Sequence, residues 1–475
     1  MRRIRPTAFG MVVLTSGLLA ACGVDVDDHI DRLQEGGEGA EDAKMALSLA
    51  RQDAIDPLIA AFADASHSPE ARAHMADALG RLYLREKEPR ILEALQAGLD
   101  VTAPAVRGSV IRVLGDMGGQ KGVAPLLARL AKETDNGVRH DLLVTLGVMS
   151  VREPRGFGNF DAAGRTWSLE IMEDDSSRTE FVHLLKGIRE DVRDSTRAAV
   201  MEWLEVAAED RATAAQEREL AADLQGAQEL LAEALDLVPD SRNINRHLGR
   251  FEFDNVDSAT GLATMVDMGV AIRVPRLRRV PAIDGLLDEP LWETAAHIDS
   301  FYQNITRMRA ILSTGRTEIR LGYRGTTLYI GVRGWEPRTD NLQVTATARD
   351  ENAWEDDCVE LFFDPDCDRR TYWQFVVNSA NTQFDIYTDG SSSNGGGDVG
   401  WNGEIESATQ VAEDHWSLEV AIPMEQFGEG KVGSGAVWVA NLARIRMANA
   451  TEYGQWVPTY GNAQRPDRFG YLVFE

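Results

Sequence analysis

Residues 352–365 read NAWEDDCVELFFDP: a lone tryptophan, Trp354, set among acids, and then from Cys358 an abrupt apolar strand pattern. Short apolar runs rich in valine and phenylalanine and bounded by turn formers are strands. The surroundings agree. TEIRLGY (317–323) alternates, Gly325 and Thr326 turn the chain, and LYIGV (328–332) returns, which is a hairpin signal. CVELFFD, YWQFVVN, TQFDIYT, WSLEVAI and VWVANLARI follow at the spacing of an antiparallel sandwich, with SSSNGGGD (391–398) as a loop. The pattern begins near Arg273, after the helical signal has faded through RNINRHLGRFEFDN, so residues 273–475 are expected to form a β-sandwich and 241–272 a linker. If residues 358–363 are extended at about 3.3 Å each, the strand carries the chain roughly 16 Å, whereas a disulfide needs Cα atoms within about 7 Å. Cys358 and Cys367 are therefore expected to stay unpaired unless the strand bends back.

Upstream the periodicity changes. From residue 41 to about 240 the chain is rich in alanine, leucine, arginine and glutamate at helical spacing. EARAHMADALG (70–80), AVRGSVIRVLG (105–115) and GVRHDLLVTLG (137–147) each set an arginine eight residues before a glycine. Arg72, Arg107 and Arg139 thus recur 35 and 32 residues apart, as do Gly80, Gly115 and Gly147. Each unit is preceded by a helix start bearing Pro57, Pro89 or Pro125, a residue suited to the first helical turn. A period near 33 built from two helices means stacked hairpins sharing one core. The pattern resembles HEAT repeats of the short bacterial kind, which implies an N-terminal α-solenoid over 41–240 presenting its surface to a protein partner. DVRDSTRAAVMEW (191–203), after the insertion GFGNFDAAGRTW (156–167), reads as a degenerate fourth unit with Met201 in the glycine place, and helices over 213–238 as a cap. The repeated arginines are expected to hold the repeats together rather than bind acidic ligands.

Arg2, Arg3 and Arg5 precede an apolar run (8–19) that is too short to span a bilayer and reads as an export signal. The LLAAC that closes it (18–22) resembles the lipobox of bacterial lipoproteins. The resemblance implies removal of residues 1–21, lipidation of Cys22, a short linker over 22–40 and a membrane attachment through the lipid. Gly23 and Val24 follow Cys22 without an adjacent aspartate, so the expected address is the outer membrane, facing the periplasm or the surface. The 475-residue chain has a formal net charge of −27, which argues against nucleic acid as partner.

IDGLLDEPLW (283–292), LYIGV, DDCVELFFDP, YWQFVVN, WSLEVAIP, VWVANLARIR and RFGYLVF (468–474) occur in that order. Together they resemble the family 9 carbohydrate-binding module and its wider relatives. The resemblance implies a glycan or oligosaccharide held between two tryptophans, since a pyranose packs its C–H face on an aromatic ring and needs fixed polar groups for its hydroxyls. Trp354 falls at the family's first tryptophan and Glu360 at an acidic ligand. Gln374, Asn378, Arg444 and Tyr460 complete the implied ligand set. Three positions depart from the pattern: Val376 stands for an arginine, Ala443 for a glutamine, and Ala463 near the second tryptophan, for which Tyr460 or Trp456 would have to substitute.

Asp364, Asp366 and Asp368 alternate as oxygen donors for calcium would, and the family binds calcium structurally. No zincin motif, nucleophile elbow, phosphate loop or catalytic cysteine-histidine pair is present, so no catalytic residue and no required cofactor is expected. Two functions fit. One is a non-catalytic lipid-anchored protein whose sandwich binds carbohydrate while the repeats contact a protein, as an accessory to carbohydrate-active enzymes. The other is an assembly lipoprotein whose two domains both bind proteins. Haem held by His415, Met424 or Met447 is a third, with no spacing that selects it.

Overall fold

The computed structural model describes residues 24–475 apart from 36, 117–119, 151–174, 190–193, 305–309, 391–396 and 429–431. The export signal, Cys22, the 156–167 insertion and most of the 391–398 loop lie outside the described residues. The chain divides into two compact units, Met1–Trp203 and Leu204–Glu475.

The first unit is helical. Its helices are α1 (Val26–Glu35), α2 (Gly37–Ala50), α3 (Gln52–Ala63), α4 (Pro69–Glu86), α5 (Pro89–Gly98), α6 (Pro104–Asp116), α7 (Gln120–Leu130), α8 (Asn136–Ser150) and α9 (Asp175–Ile188). The stretch expected as a linker over 22–40 is largely helical, in α1 and the start of α2. Ile30 and Leu33 of α1 are buried, which explains why it folds onto the stack. The second helices of successive hairpins stack α2 on α4, α4 on α6 and α6 on α8.

The repeated glycines serve that stacking. A Cβ at Gly80 would strike Val113 of α6, and one at Gly147 would strike the Trp203 indole. The repeated arginines hold turns and neighbours. Arg72 donates to Phe62 O at 2.8 Å, Arg107 to Val101 O, Thr102 O and both oxygens of Glu133, and Arg139 to Glu133 O at 2.6 Å. Pro89 opens α5, but Pro57 and Pro125 sit inside α3 and α7, which start about a turn earlier than the prolines imply.

The division between units falls inside α10 (Asp194–Leu220), so the solenoid reading of 41–240 is corrected as well. α11 (Leu224–Leu237), α12 (Arg242–Asn255) and α13 (Ser258–Asp267) follow. A third correction is the largest: 241–272 is no linker, because α12 and α13 form a packed hairpin within the second unit. Glu209 of α10 is buried and bonded by Asn243 at 2.6 Å and Arg468 at 2.7 Å, while Arg246 donates to Asp467 O at 2.9 Å. Polar groups this deep are tolerated because each has a partner.

The strands are β1 (Ala271–Val274), β2 (Ala296–Ile298), β3 (Tyr302–Gln303), β4 (Thr317–Arg324), β5 (Thr327–Trp335), β6 (Cys358–Asp364), β7 (Tyr372–Asn378), β8 (Gln383–Thr388), β9 (Glu406–Val411), β10 (His415–Pro423), β11 (Val437–Arg446), β12 (Glu452–Gln455) and β13 (Gly470–Phe474). One sheet runs β1-β13-β11-β6-β7-β8, with β12 beside β11 and β3 beside β12; the other runs β2-β4-β5-β10-β9. β4 and β5 pair from Arg324↔Thr327, so Gly325 and Thr326 make the expected two-residue turn, Gly325 taking φ 63°. β1 and β13 are parallel, Ala271 opposite Tyr471; the remaining ladders are antiparallel. The core between the sheets holds Ile319, Ile330, Phe363, Phe375, Leu418, Trp416, Phe427 and Trp438.

Candidate functional site

Strand alternation divides the residues of the eight-stranded sheet. On β6, Val359, Leu361 and Phe363 enter the core, which sends Cys358, Glu360 and Asp364 to the outer face. Paired positions share a face. One row across the sheet is therefore Gln455, Ala443, Glu360, Val376 and Phe384, and the row beside it carries Tyr453, Ile445, Cys358 and Asn378.

Trp354 sits in a 3₁₀ turn (Ala353–Glu355) that packs on β6 and β7. It stands edge-on to Phe384 with ring centroids 4.5 Å apart, beside an outer cluster of Cys358, Val376, Phe384, Ile386 and Ile445. The turn is fixed by the acids that follow it. Asp356 accepts from Thr345 N, Ala346 N and Asn378 Nδ2, and Asp357 from Gln343 N, Met447 N and Ala448 N. These acids hold loops, not metal.

On the far side of the face stands Tyr453 of β12, 49% exposed. β12 lies three strand spacings from β7, about 14 Å, so Trp354 and Tyr453 flank a floor wide enough for a pyranose. Nothing in the sequence marked Tyr453: its strand, EYGQ, is four residues long and contains a glycine.

Glu360 and Gln374 meet on the floor, Gln374 Nε2 donating to Glu360 Oε1 at 3.1 Å. Burial pushes the Glu360 carboxyl up to about 7, against a small opposing pull from the Gln374 bond. Gln464 reaches Gln374 Oε1 at 3.4 Å from the loop ahead of β13.

The other expected ligands are placed elsewhere. Arg444 is one residue from Ala443 and so points into the sandwich. It donates to Glu336 Oε1 at 2.6 Å, Arg316 O at 2.9 Å, Trp335 O at 3.2 Å and Thr317 Oγ1 at 3.2 Å. Asn378 is on the outer face but fully engaged, donating to Ala346 O and Asp356 and accepting from Ala380 N and Thr382 N. Tyr460 lies under the Arg468 guanidinium, 5.7 Å from its ring centroid. Trp456 is 3% exposed and donates to Gly269 O at 3.0 Å. Neither aromatic is free to face Trp354. His415 opens β10 and Met424 follows its last residue, roughly 30 Å away along an extended strand, so the two do not form a common haem site. Both Cys358 and Cys367 are free.

Asp364, Asp366 and Asp368 do converge, offering oxygens within 4.8 Å of one another. Asp364 is fully buried, its Oδ2 accepts from Arg369 N at 2.8 Å, and its Oδ1 has no partner. Burial and the neighbouring Asp366 and Asp368 push its carboxyl up to about 8. The nearby Arg369 guanidinium is turned to Asp254 at 2.8 Å and to Tyr471. Asp366 Oδ1 accepts from Asp368 N and Asp368 Oδ1 from Arg370 N and Thr371 N, so Asp364 Oδ1 is the unpartnered oxygen of the set that a hard, oxygen-seeking cation would take. On the second sheet Glu419 is structural, accepting from Asp284 N, Gly285 N and Trp292 Nε1.

Residues 45–147 match the family model described as HEAT repeats, and residues 283–475 the model described as carbohydrate family 9 binding domain-like. The chain thus carries HEAT-like repeats followed by a domain like the family 9 carbohydrate-binding modules. No curated protein matches it. Among solved structures it is similar to a Bacteroides uniformis protein (17% identity over 43% of this chain and 99% of that one, TM-score 0.35). It is similar also to a family 9 carbohydrate-binding module from Caldicellulosiruptor kristjanssonii in complex with cellotriose (17%, 43% and 93%, TM-score 0.33). The phycocyanin lyase complex from Nostoc sp. is a further match (16%, 38% and 96%, TM-score 0.27).

Proposed function

We propose that the protein is a non-catalytic, lipid-anchored binding protein. Its sandwich takes carbohydrate on the outer face of the eight-stranded sheet, between Trp354 and Tyr453 over Glu360 and Gln374, and its repeats engage a protein partner. The observation that carries this reading is the pair of accessible aromatics flanking a buried carboxyl-amide couple, within a region like a carbohydrate-binding family. The two rings supply stacking area, and Glu360 and Gln374 supply orientation. The anchor is Cys22 and the address the outer membrane. Among the described residues no helix is long and apolar enough to cross a membrane. Asp364, Asp366 and Asp368 hold a structural calcium ion, which neutralises the acidic turn between β6 and β7.

The test is titration of the protein with neutral, acidic and amino oligosaccharides, followed by tryptophan fluorescence, alongside Trp354→Ala and Tyr453→Ala. Saturable binding that each substitution weakens about tenfold supports the reading, the loss expected of one stacking contact. A folded protein that binds none of the panel overturns it. A Cys22→Ser chain that stays in the membrane fraction overturns the anchor. The competing reading, an assembly lipoprotein in which both domains bind protein, draws on Arg444 and Asn378 being committed to structure and on Val376 being apolar. It gains only if the saccharide panel fails.

A further inference from the structure

Glu360 is 7% exposed, and its cross-strand neighbours on the outer face are Ala443 and Val376. Its one hydrogen-bond donor among the described residues is the Gln374 amide, and no cationic side chain there contributes to its field. Apart from Asp364 at the end of β6, whose Oδ1 has no partner, the other buried carboxylates of the sandwich are compensated. Glu336 takes Arg444 and Arg446, Glu419 takes two backbone N–H groups and the Trp292 indole, and Asp385 takes Arg349. A buried carboxylate without such partners costs several kcal/mol. The titratable groups that face Glu360 are the Cys358 thiol on its own strand and the Tyr372 hydroxyl on β7, and burial pushes both up, so neither supplies countercharge.

Across the small Ala443 stands Gln455, 1% exposed. Its Oε1 accepts from Thr459 N and Oγ1, while its Nε2 is buried without a partner. In register Glu360 and Gln455 therefore flank the same alanine from either side, one lacking a cation and the other an acceptor. Sugar rings that carry an amine next to a hydroxyl present that pair on adjacent carbons.

We infer that this face selects a saccharide bearing a free, protonated amine, the ammonium pairing with Glu360 and a neighbouring hydroxyl oxygen accepting from Gln455 Nε2. The inference rests on the carbohydrate reading above and names the class of sugar within it.

Three β-1,4-linked oligomers of equal length test it, differing only at the second carbon: glucosamine, N-acetylglucosamine and glucose. Calorimetric titration at pH 7 is expected to give at least about tenfold tighter binding for the glucosamine oligomer, the value of one hydrogen bond to a charged group. Glu360→Gln is expected to bring the ratio of amine to neutral affinity near one. Val376→Lys, which sets a cation opposite Glu360 from within the protein, is expected to do the same. Circular dichroism establishes that both variants fold. Equal affinity for the three oligomers, or a preference that survives Glu360→Gln, overturns the inference and leaves the carbohydrate reading in place. A preference that survives Glu360→Gln but vanishes in high salt assigns the effect to the protein's net charge of −27 and overturns it too. No saccharide binding at all overturns both.

Discussion

Replacing Arg444 by methionine separates the two faces of β11. The guanidinium is 2% exposed and Glu336 is 0% exposed, and the substitution removes the bonds to Glu336 Oε1, Arg316 O, Trp335 O and Thr317 Oγ1. Breaking a buried pair costs about 3–5 kcal/mol. Glu336 keeps Arg446 at 2.6 and 3.0 Å and Asn449 at 2.8 Å, and methionine keeps most of the apolar stem, so the low end applies, about 3 kcal/mol. Eight of the ten tryptophans lie at or beyond Trp292, so their fluorescence during urea unfolding reports on the sandwich. With a slope of about 3 kcal/mol/M the midpoint falls by about 1 M. Below the transition, saccharide affinity stays at the wild-type value, because the side chain points away from Trp354. A variant that loses affinity while keeping its urea midpoint would refute the face assignment.

Calcium is expected to raise the melting temperature more at pH 8 than at pH 6, since Asp364, pushed up to about 8, must ionise to bind it. Without metal the raised value works the other way, costing stability as pH climbs from the unfolded carboxyl value toward 8. At about 100 times the dissociation constant the gain is about 2.7 kcal/mol, and scanning calorimetry against a chelator, with Asp364→Asn as control, reads it; an unmoved transition at pH 8 counts against the site. In the repeats, burial would raise Glu133, but Arg107, the Asp135 N–H and Arg129 outweigh it and hold the carboxyl down to about 2. Its contribution is therefore present above the unfolded value near 4.5 and lost as pH falls toward 2, so Glu133→Gln lowers helical stability at pH 7 and flattens the acid limb followed by circular dichroism. Gly147→Ala drives a methyl into the Trp203 indole and is expected to cost about 1–3 kcal/mol of helical stability in the same assay; no change would show the packing there is loose.

Much of the fold was legible because its signals are local. The arginine-glycine repeat encodes a turn clamp and a close helix approach, both of which need one residue type at one place. The β4–β5 hairpin needs only alternation and a glycine. α12 hid from the same reading because the side it buries is polar: Asn243, Arg246 and His247 lie there with Ile244 and Phe251, and a hydrophobic period cannot register partners such as Glu209 that arrive from elsewhere in the chain. Arg444 was misplaced for a different reason. Resemblance set it beside Ala443 as a ligand, whereas simple parity along β11 sends the two to opposite faces. Tyr453 and Gln455 were missed because a four-residue strand has too few positions to show alternation.

The pairing of β1 with β13 places Ala271 opposite Tyr471, 200 residues later. A chain emerging from the ribosome N-terminus first presents β1, and before it α12 with its buried Arg246, long before residues 467–474 exist to receive them. The helical repeats close over neighbours in sequence and can form as they emerge, but the sandwich must wait for its whole length. For that interval β1 stands without its ladder partner, and cutting the chain before residue 467 would leave it so permanently.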